Sequence, residues 1–280
     1  MIMNLHTHTH HSPDADDTVA ERVKIAQELG LQYMAITDHC EINRFEPAAF
    51  YGAEESEMFF YNSRRVTEGS LAETTAAKAD CGNLKLLCGI ELGQIPQDVQ
   101  LSRQVYHDPR LDLVIGSVHE LPNLPDFYFL DYKSVDIPSI LKMYFEEVLA
   151  LAETDCYDVL GHITYGLRYL PNRASIDISP YLPIIIAIYK TVIRKGKALE
   201  LNGSGLKKEP SFTDPNLALL RLYHDLGGEL LTISTDAHAG KYLGCGVDTL
   251  EQMARDAGFC KLTYFERHCP VQIDLLPAAR

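Results

Sequence analysis

The chain has 280 residues, a hydrophobic fraction of 46% and a formal net charge of -14. This composition is typical of a globular protein in water, and the acidic balance argues against nucleic acid as a partner, because a nucleic-acid-binding surface needs a basic face. The 7 cysteines are scattered and include no C-x-x-C pair, which favours reduced thiols. Since the sequence also lacks a leader and an apolar run long enough to span a bilayer, we expect a cytoplasmic protein without a membrane partner.

Short apolar runs alternate with helical patterns along the chain. Strands are predicted at residues 2–5, 32–37, 84–90, 111–118, 158–161, 198–201 and 229–234. Helices are predicted at residues 18–29, 62–79, 98–106, 137–154, 180–195, 216–226 and 248–257, with a last strand or tail at 260–265. Thr18 and Glu21 form a capping-box pattern at the start of the first helix, and Gly30 ends it. The alternation predicts an α/β fold in which helices join parallel strands, in one domain spanning residues 1–280.

The first strand runs into a histidine-rich stretch, residues 5–11. Side chains alternate faces along a strand, so His6, His8 and His10 would project to one side. Two neutral imidazoles at this spacing can hold one metal ion. A His-x-His pair alone also suits a polar strand end, so the rest of the chain has to decide between these interpretations.

Residue types that bind metals recur just past the predicted strands. They are His6, His8, His39, Glu91, His119, His162, Asp236 and His238. In a parallel α/β barrel the carboxyl ends of the strands share one face, where active sites are built. The pattern therefore predicts a metal cluster at that face. His107, His224 and His268 lie within or after helices or in the tail and are interpreted as structural or solvated, while the roles of His10 and His11 are left open.

The segments that carry these residues resemble the polymerase and histidinol phosphatase (PHP) superfamily. The matching segments are residues 5–8, 36–39, 89–91, 116–119, 161–162 and 234–238, in the family's order over nearly the whole chain. Within the superfamily, the chain length and segments 161–168 and 200–207 most resemble the histidinol-phosphate phosphatases. The resemblance implies a distorted, seven-stranded (β/α)7 TIM-like barrel with three divalent ions at the carboxyl ends of the strands.

The resemblance also implies which residues hold each ion. The implied ligands are, in turn, His6, His8, Glu91 and Asp236; Glu91, His119 and His162; and Asp14, His39 and His238. Glu91 would bridge the first two ions, and Asp14 is preferred to Asp16 and Asp17 for its spacing after His6. Mixed histidine and carboxylate ligands suit zinc, manganese or iron, and spacing does not choose among them.

The implied activity is metal-dependent hydrolysis of L-histidinol phosphate to L-histidinol and phosphate, in histidine biosynthesis. Metal ions would neutralise the phosphoryl oxygens and acidify a water molecule. Arg168 and Lys207 would bind the phosphate, although Lys207 stands where related phosphatases tend to carry arginine, and lysine lacks bidentate geometry. A solvated surface role is the alternative for Arg168. Asp236, His238 or a metal-bound water would protonate the leaving alkoxide.

Further residues are expected to support the site. Asp38, Glu200 and Asn202 are candidates for orienting ligands, and Asn4 stands where related sequences often have an acidic residue. A loop at 121–132, with aromatic residues at 127–129, or the stretch at 54–61, would recognise the imidazole and the amine. Hydrolysis of another small phosphate ester or nucleotide, and metal or phosphate binding without turnover, are the alternative functions. The oligomeric state is not readable from the sequence.

Overall fold

The computed structural model of the chain describes residues 2–42, 63–173, 176–207 and 213–275. Its centre is a nearly closed barrel of parallel strands in the order β1-β2-β4-β5-β6-β7-β8. The strands are β1 (Met3–Asn4), β2 (Tyr33–Ile36), β3 (His39–Glu41), β4 (Lys85–Gly93), β5 (Leu113–Ser117), β6 (Val159–Leu160), β7 (Ala198–Asn202) and β8 (Leu231–Ser234). All seven predicted strands and the predicted barrel are confirmed.

The short strand β3 was not predicted, and it continues β2 after two residues. Ile36 of β2 pairs with Cys88 of β4, and His39 of β3 pairs with Glu91 in the same register. β2 and β3 therefore occupy one position in the wall of the barrel, and each such position is termed a stave. Between the first and last staves, the amide of Leu5 donates to the carbonyl of Ile233 at 3.2 Å.

Helices cover the outside of the barrel, except for one short helix after β6 that lies at the carboxyl ends of the strands. They are α1 (Val19–Glu28), α2 (Ser63–Ala77), α3 (Val99–Tyr106), α4 (Ile137–Glu153), α5 (Tyr165–Arg168), α6 (Leu182–Arg194), α7 (Leu217–Asp225) and α8 (Val247–Asp256). The capping box predicted for α1 is present, since Thr18 accepts from the amide of Glu21, whose side chain accepts from the amide of Thr18. The one-turn helix α5 was not predicted. Within the described ranges, no helix is long and apolar enough to cross a membrane.

Packing between the strands and the helices supplies the core. α4 buries Tyr144, Phe145 and Val148 on one face, and α6 buries Ile185 and Ile188. Each such side chain contributes about 1.5–3 kcal/mol when it leaves water. The strands are buried along nearly their whole length, as expected for a parallel sheet that helices cover.

A β-hairpin follows the barrel where the sequence predicted a final strand or a tail. Strands β9 (Lys261–Glu266) and β10 (Cys269–Asp274) pair antiparallel around a turn at Arg267 and His268. Both turn residues have positive φ, 47° and 64°, without the glycine or asparagine that usually marks such a turn. His268 Nδ1 lies 2.7 Å from Asp158 Oδ2, at the start of β6, so this histidine is structural.

Candidate metal centre

The predicted ligands converge at the carboxyl ends of the strands, around Glu91 at the end of β4. Glu91 is 1% exposed, and its carboxylate lies within 3.6 Å of five imidazoles, those of His6, His8, His39, His119 and His162. Each of these rings comes from a different strand end or from the stretch after β1. The structure therefore brings together residues as distant in sequence as His6 and His162.

The first predicted group lies at the end of β1 and opposite β8. His6 Nε2 is 3.2 Å from Glu91 Oε2, and His8 Nε2 is 3.2 Å from Asp236 Oδ1. His6 Nε2, His8 Nε2 and Glu91 Oε2 are buried and have no hydrogen bond within the described chain. Leaving such an atom unsatisfied costs about 1–3 kcal/mol, which a shared cation would remove for all three atoms. The donor set therefore fits a metal ion.

The second predicted group shares Glu91 with the first. His119 Nε2 and His162 Nε2 lie 3.0 Å and 2.7 Å from Glu91 Oε1, while the first group faces Oε2. The two oxygens of one carboxylate thus face two sets of imidazoles. This arrangement suits a bridging carboxylate.

The third predicted group lies nearer the surface. His238 Nε2 is 3.1 Å from Asp14 Oδ2 and 3.4 Å from His39 Nε2, which is 3.8 Å from Asp14 Oδ1. Asp17 instead accepts from the amide of Gly240 at 2.6 Å, so it does not join this group. Of the neighbouring acidic residues, the structure places Asp14 beside the two histidines.

Buried carboxylates hold the imidazoles in place. Glu200 Oε1 lies 2.7 Å from His6 Nδ1, and Glu200 Oε2 accepts from the amide of His162 at 2.7 Å. Asp38 accepts from the amide of Thr9 at 2.6 Å and thereby fixes the loop that follows His8. Glu200 contacts a ligand ring directly and Asp38 acts on the loop that follows one, so the orienting role of both stays a prediction that these contacts support.

Asn202 links this support to the cluster. Its Nδ2 lies 3.3 Å from Glu200 Oε2 and 3.3 Å from Asp236 Oδ2. Asp236 itself has φ 50°, a left-handed conformation that is rare for a residue with a side chain. Aspartate adopts this conformation more readily than most residues, so the backbone can present its carboxylate here at little cost.

Two residues of the site, Glu41 and Gln94, were missed by the sequence reasoning. Glu41 Oε1 lies 2.9 Å from His119 Nδ1, and Gln94 Nε2 donates to Glu41 Oε2 at 2.5 Å. Gln94 Oε1 also accepts from the amide of His119 at 3.0 Å. Glu41 follows His39 by two residues, so strand alternation could have identified it. Gln94 carries no comparable signal, because its position depends on a left-handed φ of 57°.

The electrostatics of the cluster keep its carboxylates ionised. Burial alone would raise the pKa of Glu91, but the imidazoles of His6, His119 and His39 hold it well below its usual range. Burial likewise opposes charge on His6, yet Glu91, Glu200 and Asp236 raise its pKa to about 10. Without cations, the protonated imidazoles of His6 and His119 offset part of the carboxylate charge, and a divalent ion is suited to replace those protons.

Both predicted phosphate-binding residues converge on Asp236. Arg168, in α5, has its Nη1 3.2 Å from Asp236 Oδ2, and Lys207 Nζ donates to the Asp236 carbonyl at 2.8 Å. The Arg168 side chain is 13% exposed and stacks over the Tyr165 ring, so the alternative of a solvated surface arginine is wrong. Its buried Nε and Nη2 have no hydrogen bond within the described chain, and Nη2 faces the buried carboxylate of Asp214 at 4.0 Å.

The expectation that His10 shares a face with His6 and His8 is wrong. The chain stays bridged to Ala237 at Thr7 but turns at residues 10–14, so strand alternation does not extend to residue 10. The rings of His10 and His11 face Glu73 of α2, at 3.6 Å and 2.7 Å, outside the cluster.

The two predicted recognition segments have different outcomes. In the loop at 121–132, Phe127 is buried against Tyr144, whereas Tyr128 and Phe129 are exposed. Phe127 is therefore a core residue. The stretch at 54–61 lies outside the described residues.

Comparisons with known proteins agree on one family. The model of the PHP domain matches residues 4–204. The chain is 25% identical to the histidinol-phosphatase of Lactococcus lactis, over 94% of each chain. It is 24% identical to a protein of Clostridium acetobutylicum named "Probable histidinol-phosphatase", over 95% of this chain and 98% of the relative. The structure of the L. lactis histidinol phosphate phosphatase in complex with zinc, L-histidinol and phosphate has a TM-score of 0.78 and 23% identity, covering 97% of this chain and all of its own.

Proposed function

Because the chain belongs to the PHP domain family, we propose that it is a metal-dependent phosphomonoesterase that hydrolyses L-histidinol phosphate to L-histidinol and phosphate. The observation that carries the proposal is the convergence of a metal-type ligand cluster with a buried arginine at one carboxylate, Asp236. Two relatives that span nearly the whole chain carry the same activity in their names. The place of the reaction would be histidine biosynthesis.

Three divalent ions are proposed, held by the three groups of ligands described above. Zinc is favoured over manganese or iron, because the similar L. lactis structure contains zinc and imidazoles dominate the ligand set. When bound, such ions would neutralise the phosphoryl charge and activate water as the nucleophile. The residues of the chain must then bind, orient and protonate the substrate.

Arg168 is proposed to bind the phosphate. Its Nε and Nη2 form the bidentate edge of the guanidinium, and neither has a hydrogen bond within the described chain, although Nη2 faces the Asp214 carboxylate at 4.0 Å. A bidentate pair of charge-assisted hydrogen bonds would fix two non-bridging oxygens. The centre of the Tyr165 ring lies 4.8 Å from the guanidinium carbon, and the ring supports one face of the arginine. Lys207 would add a single positive charge on the other side of Asp236.

Asp236 is proposed to move the proton. His238 has its Nδ1 3.0 Å from the Asp236 carbonyl and its Nε2 facing Asp14, which leaves it no nitrogen for a leaving group. Burial alone would raise the pKa of Asp236, but the charge of His6, the close contact with His8 and the charges of His238 and Arg168 hold it well below its usual range. A carboxylate this acidic is a weak base, so its proposed part is to relay the proton of an already acidified water to the leaving alkoxide and not to hold that proton.

A substrate panel tests the proposal. The protein, loaded with zinc or manganese, is given L-histidinol phosphate, a nucleoside monophosphate and a phosphodiester, and phosphate release is measured with the metal content. We expect clear preference for L-histidinol phosphate. Turnover of another ester with little release from L-histidinol phosphate would favour the alternative PHP phosphoesterase. Metal binding without turnover of any substrate would indicate a binding protein.

A further inference from the structure

A second cluster of metal-binding side chains lies at the rim of the barrel, outside the centre described above. It consists of His10 and His11, in the loop before α1, and Glu73 of α2. His11 Nε2 lies 2.7 Å and His10 Nε2 lies 3.6 Å from the same oxygen, Glu73 Oε2. One donor atom from each residue lies within 4.8 Å of the other two. The spacing matches that between the proposed ligands of the main centre, where His162 and Glu91 are 2.7 Å apart and His8 and Glu91 3.6 Å.

A glycine in α2 provides independent evidence that the His11 ring packs in a defined position. A Cβ atom at Gly69 would lie 2.8 Å from both Cε1 and Nδ1 of His11, closer than real contacts allow. Glycine inside a helix costs about 0.5–1 kcal/mol relative to alanine, so a packing reason is expected for it. Gly69 and Glu73 are four residues apart and share a helix face. The His11 ring thus packs against α2 at Gly69, and the Glu73 carboxylate, one turn later in the same helix, lies beside its Nε2.

We propose that His10, His11 and Glu73 form a further binding site for a divalent cation of the zinc type. Two imidazoles and one glutamate are a ligand set with which zinc retains an open fourth position for water. All three side chains are partly exposed, so an ion can enter from solvent. The proposal concerns residues outside the three groups of the main centre and does not rest on the proposed hydrolysis.

The site would link two parts of the molecule. His10 and His11 lie between His8 and Asp14, which belong to the first and third groups of the main centre. Glu73 belongs to α2, and its other oxygen accepts from the amide of Val19 at the start of α1 at 3.2 Å. A bound ion would therefore tie the loop that carries two proposed ligands to two helices.

The competing explanation is an ordinary hydrogen bond between His11 and Glu73 that needs no ion. Zinc titration of the full-length chain, with the number of bound ions measured by elemental analysis after equilibrium dialysis, separates the two. We expect His11→Ala and Glu73→Gln to bind one zinc ion fewer than the unchanged protein. His107→Ala, which removes an exposed histidine elsewhere, should bind the same number as the unchanged protein. An equal number in all four proteins would overturn the proposal.

A further variant keeps all three donor side chains and tests their arrangement. Gly69→Ala displaces the His11 ring from its position, so we expect the weakest zinc-binding event to shift to higher zinc concentration while the far-ultraviolet circular dichroism stays unchanged. An unshifted binding curve in a folded variant would contradict the inferred geometry. Phosphate release from L-histidinol phosphate is measured on the same samples. If no protein hydrolyses it, the proposed function fails, while the difference of one zinc ion still decides this site.

Discussion

Glu41 Oε1 lies 2.9 Å from Nδ1 of His119, so a carboxylate at the end of one stave orients a proposed ligand that follows β5. The same carboxylate accepts from Gln94, which also holds the amide of His119. Carboxylates that bond the second nitrogen of a metal-binding histidine fix its tautomer and its orientation. Glu41 is therefore a positioning residue for the second group of ligands.

Replacing Glu41 with glutamine should weaken metal binding without unfolding the protein. The amide has nearly the same shape but loses the negative charge that holds the His119 ring, and losing such a partner costs about 10- to 100-fold in metal affinity. The measurement is competition for zinc with a chelator of known affinity. Glu28→Gln, at an exposed position on α1, is the matched control. Equal zinc affinity in Glu41→Gln and the control would contradict the positioning role.

Removing the metal should lower stability as well as abolish activity. The cluster buries three carboxylates, Glu91, Glu200 and Asp236, beside imidazoles whose protons bound cations would replace, so the ions bind the native arrangement and not the unfolded chain. A ligand present at 1,000 times its dissociation constant stabilises the native state by about 4 kcal/mol. Thermal unfolding followed before and after dialysis against a chelator measures this effect. We expect a lower Tm after dialysis and its recovery when zinc is returned.

Replacing His119 with alanine should abolish hydrolysis in a protein that still folds. The ring faces Glu91 through Nε2 at 3.0 Å, so the change removes one of the two imidazoles of the second group. Phosphate release and the far-ultraviolet circular dichroism spectrum are measured together. Hydrolysis at the unchanged rate would rule out the proposed second group, whereas a lost spectrum would call for His119→Asn, which keeps a polar side chain there.

Replacing Arg168 with lysine should slow hydrolysis by about 100-fold, the usual effect of losing one preorganised donor to the transition state. Lysine keeps the charge but offers no bidentate pair. The measurement is kcat/KM for L-histidinol phosphate, with Arg221→Lys, an exposed position on α7, as the control. An undiminished kcat/KM would show that Arg168 serves only to balance the charge of Asp236.

Most of the fold was predictable because the strands are apolar runs that end in recognisable residues. The seven staves and the convergence of His6, Glu91 and Asp236 follow from placing strand ends on one face of a barrel. The hairpin at 261–274 was incompletely predicted, because its turn uses Arg267 and His268 instead of glycine or asparagine. A contact with Asp158, distant in sequence, accompanies the unusual turn.

Parts of the site depended on where a strand stops, and the sequence does not show this. Alternation correctly separates His6 and His8 from Thr7 and Thr9 only while the chain stays extended. The chain is still bridged to Ala237 at Thr7, and it turns at residues 10–14, where Thr9 and Ser12 donate hydrogen bonds to Asp38. His10 therefore leaves the cluster. The reverse error hid Glu41, since the strand was predicted to end at Thr37 although β3 continues it.

Asn4, the position for which the family resemblance implies an acidic residue, is held by hydrogen bonds of its side chain. Its Nδ2 donates to Thr235 Oγ1 at 2.7 Å and to the Leu243 carbonyl at 2.8 Å, while its Oδ1 accepts from the amide of Thr235 at 3.0 Å. Aspartate would keep the acceptor but place a second oxygen against the Leu243 carbonyl. An unpaired buried acceptor costs about 1–3 kcal/mol, so Asn4→Asp should lower the free energy of unfolding by about that amount.

Urea denaturation of the zinc-free protein measures the change at Asn4 without a contribution from metal binding. We expect a lower midpoint with an unchanged slope, because the variant loses stability and not compactness. Asn83→Asp, an exposed position before β4, is the control for the added charge. An unchanged midpoint in Asn4→Asp would mean that the Leu243 carbonyl accepts from another donor. The hydrogen bonds of Asn4 would then not explain why asparagine occupies this position.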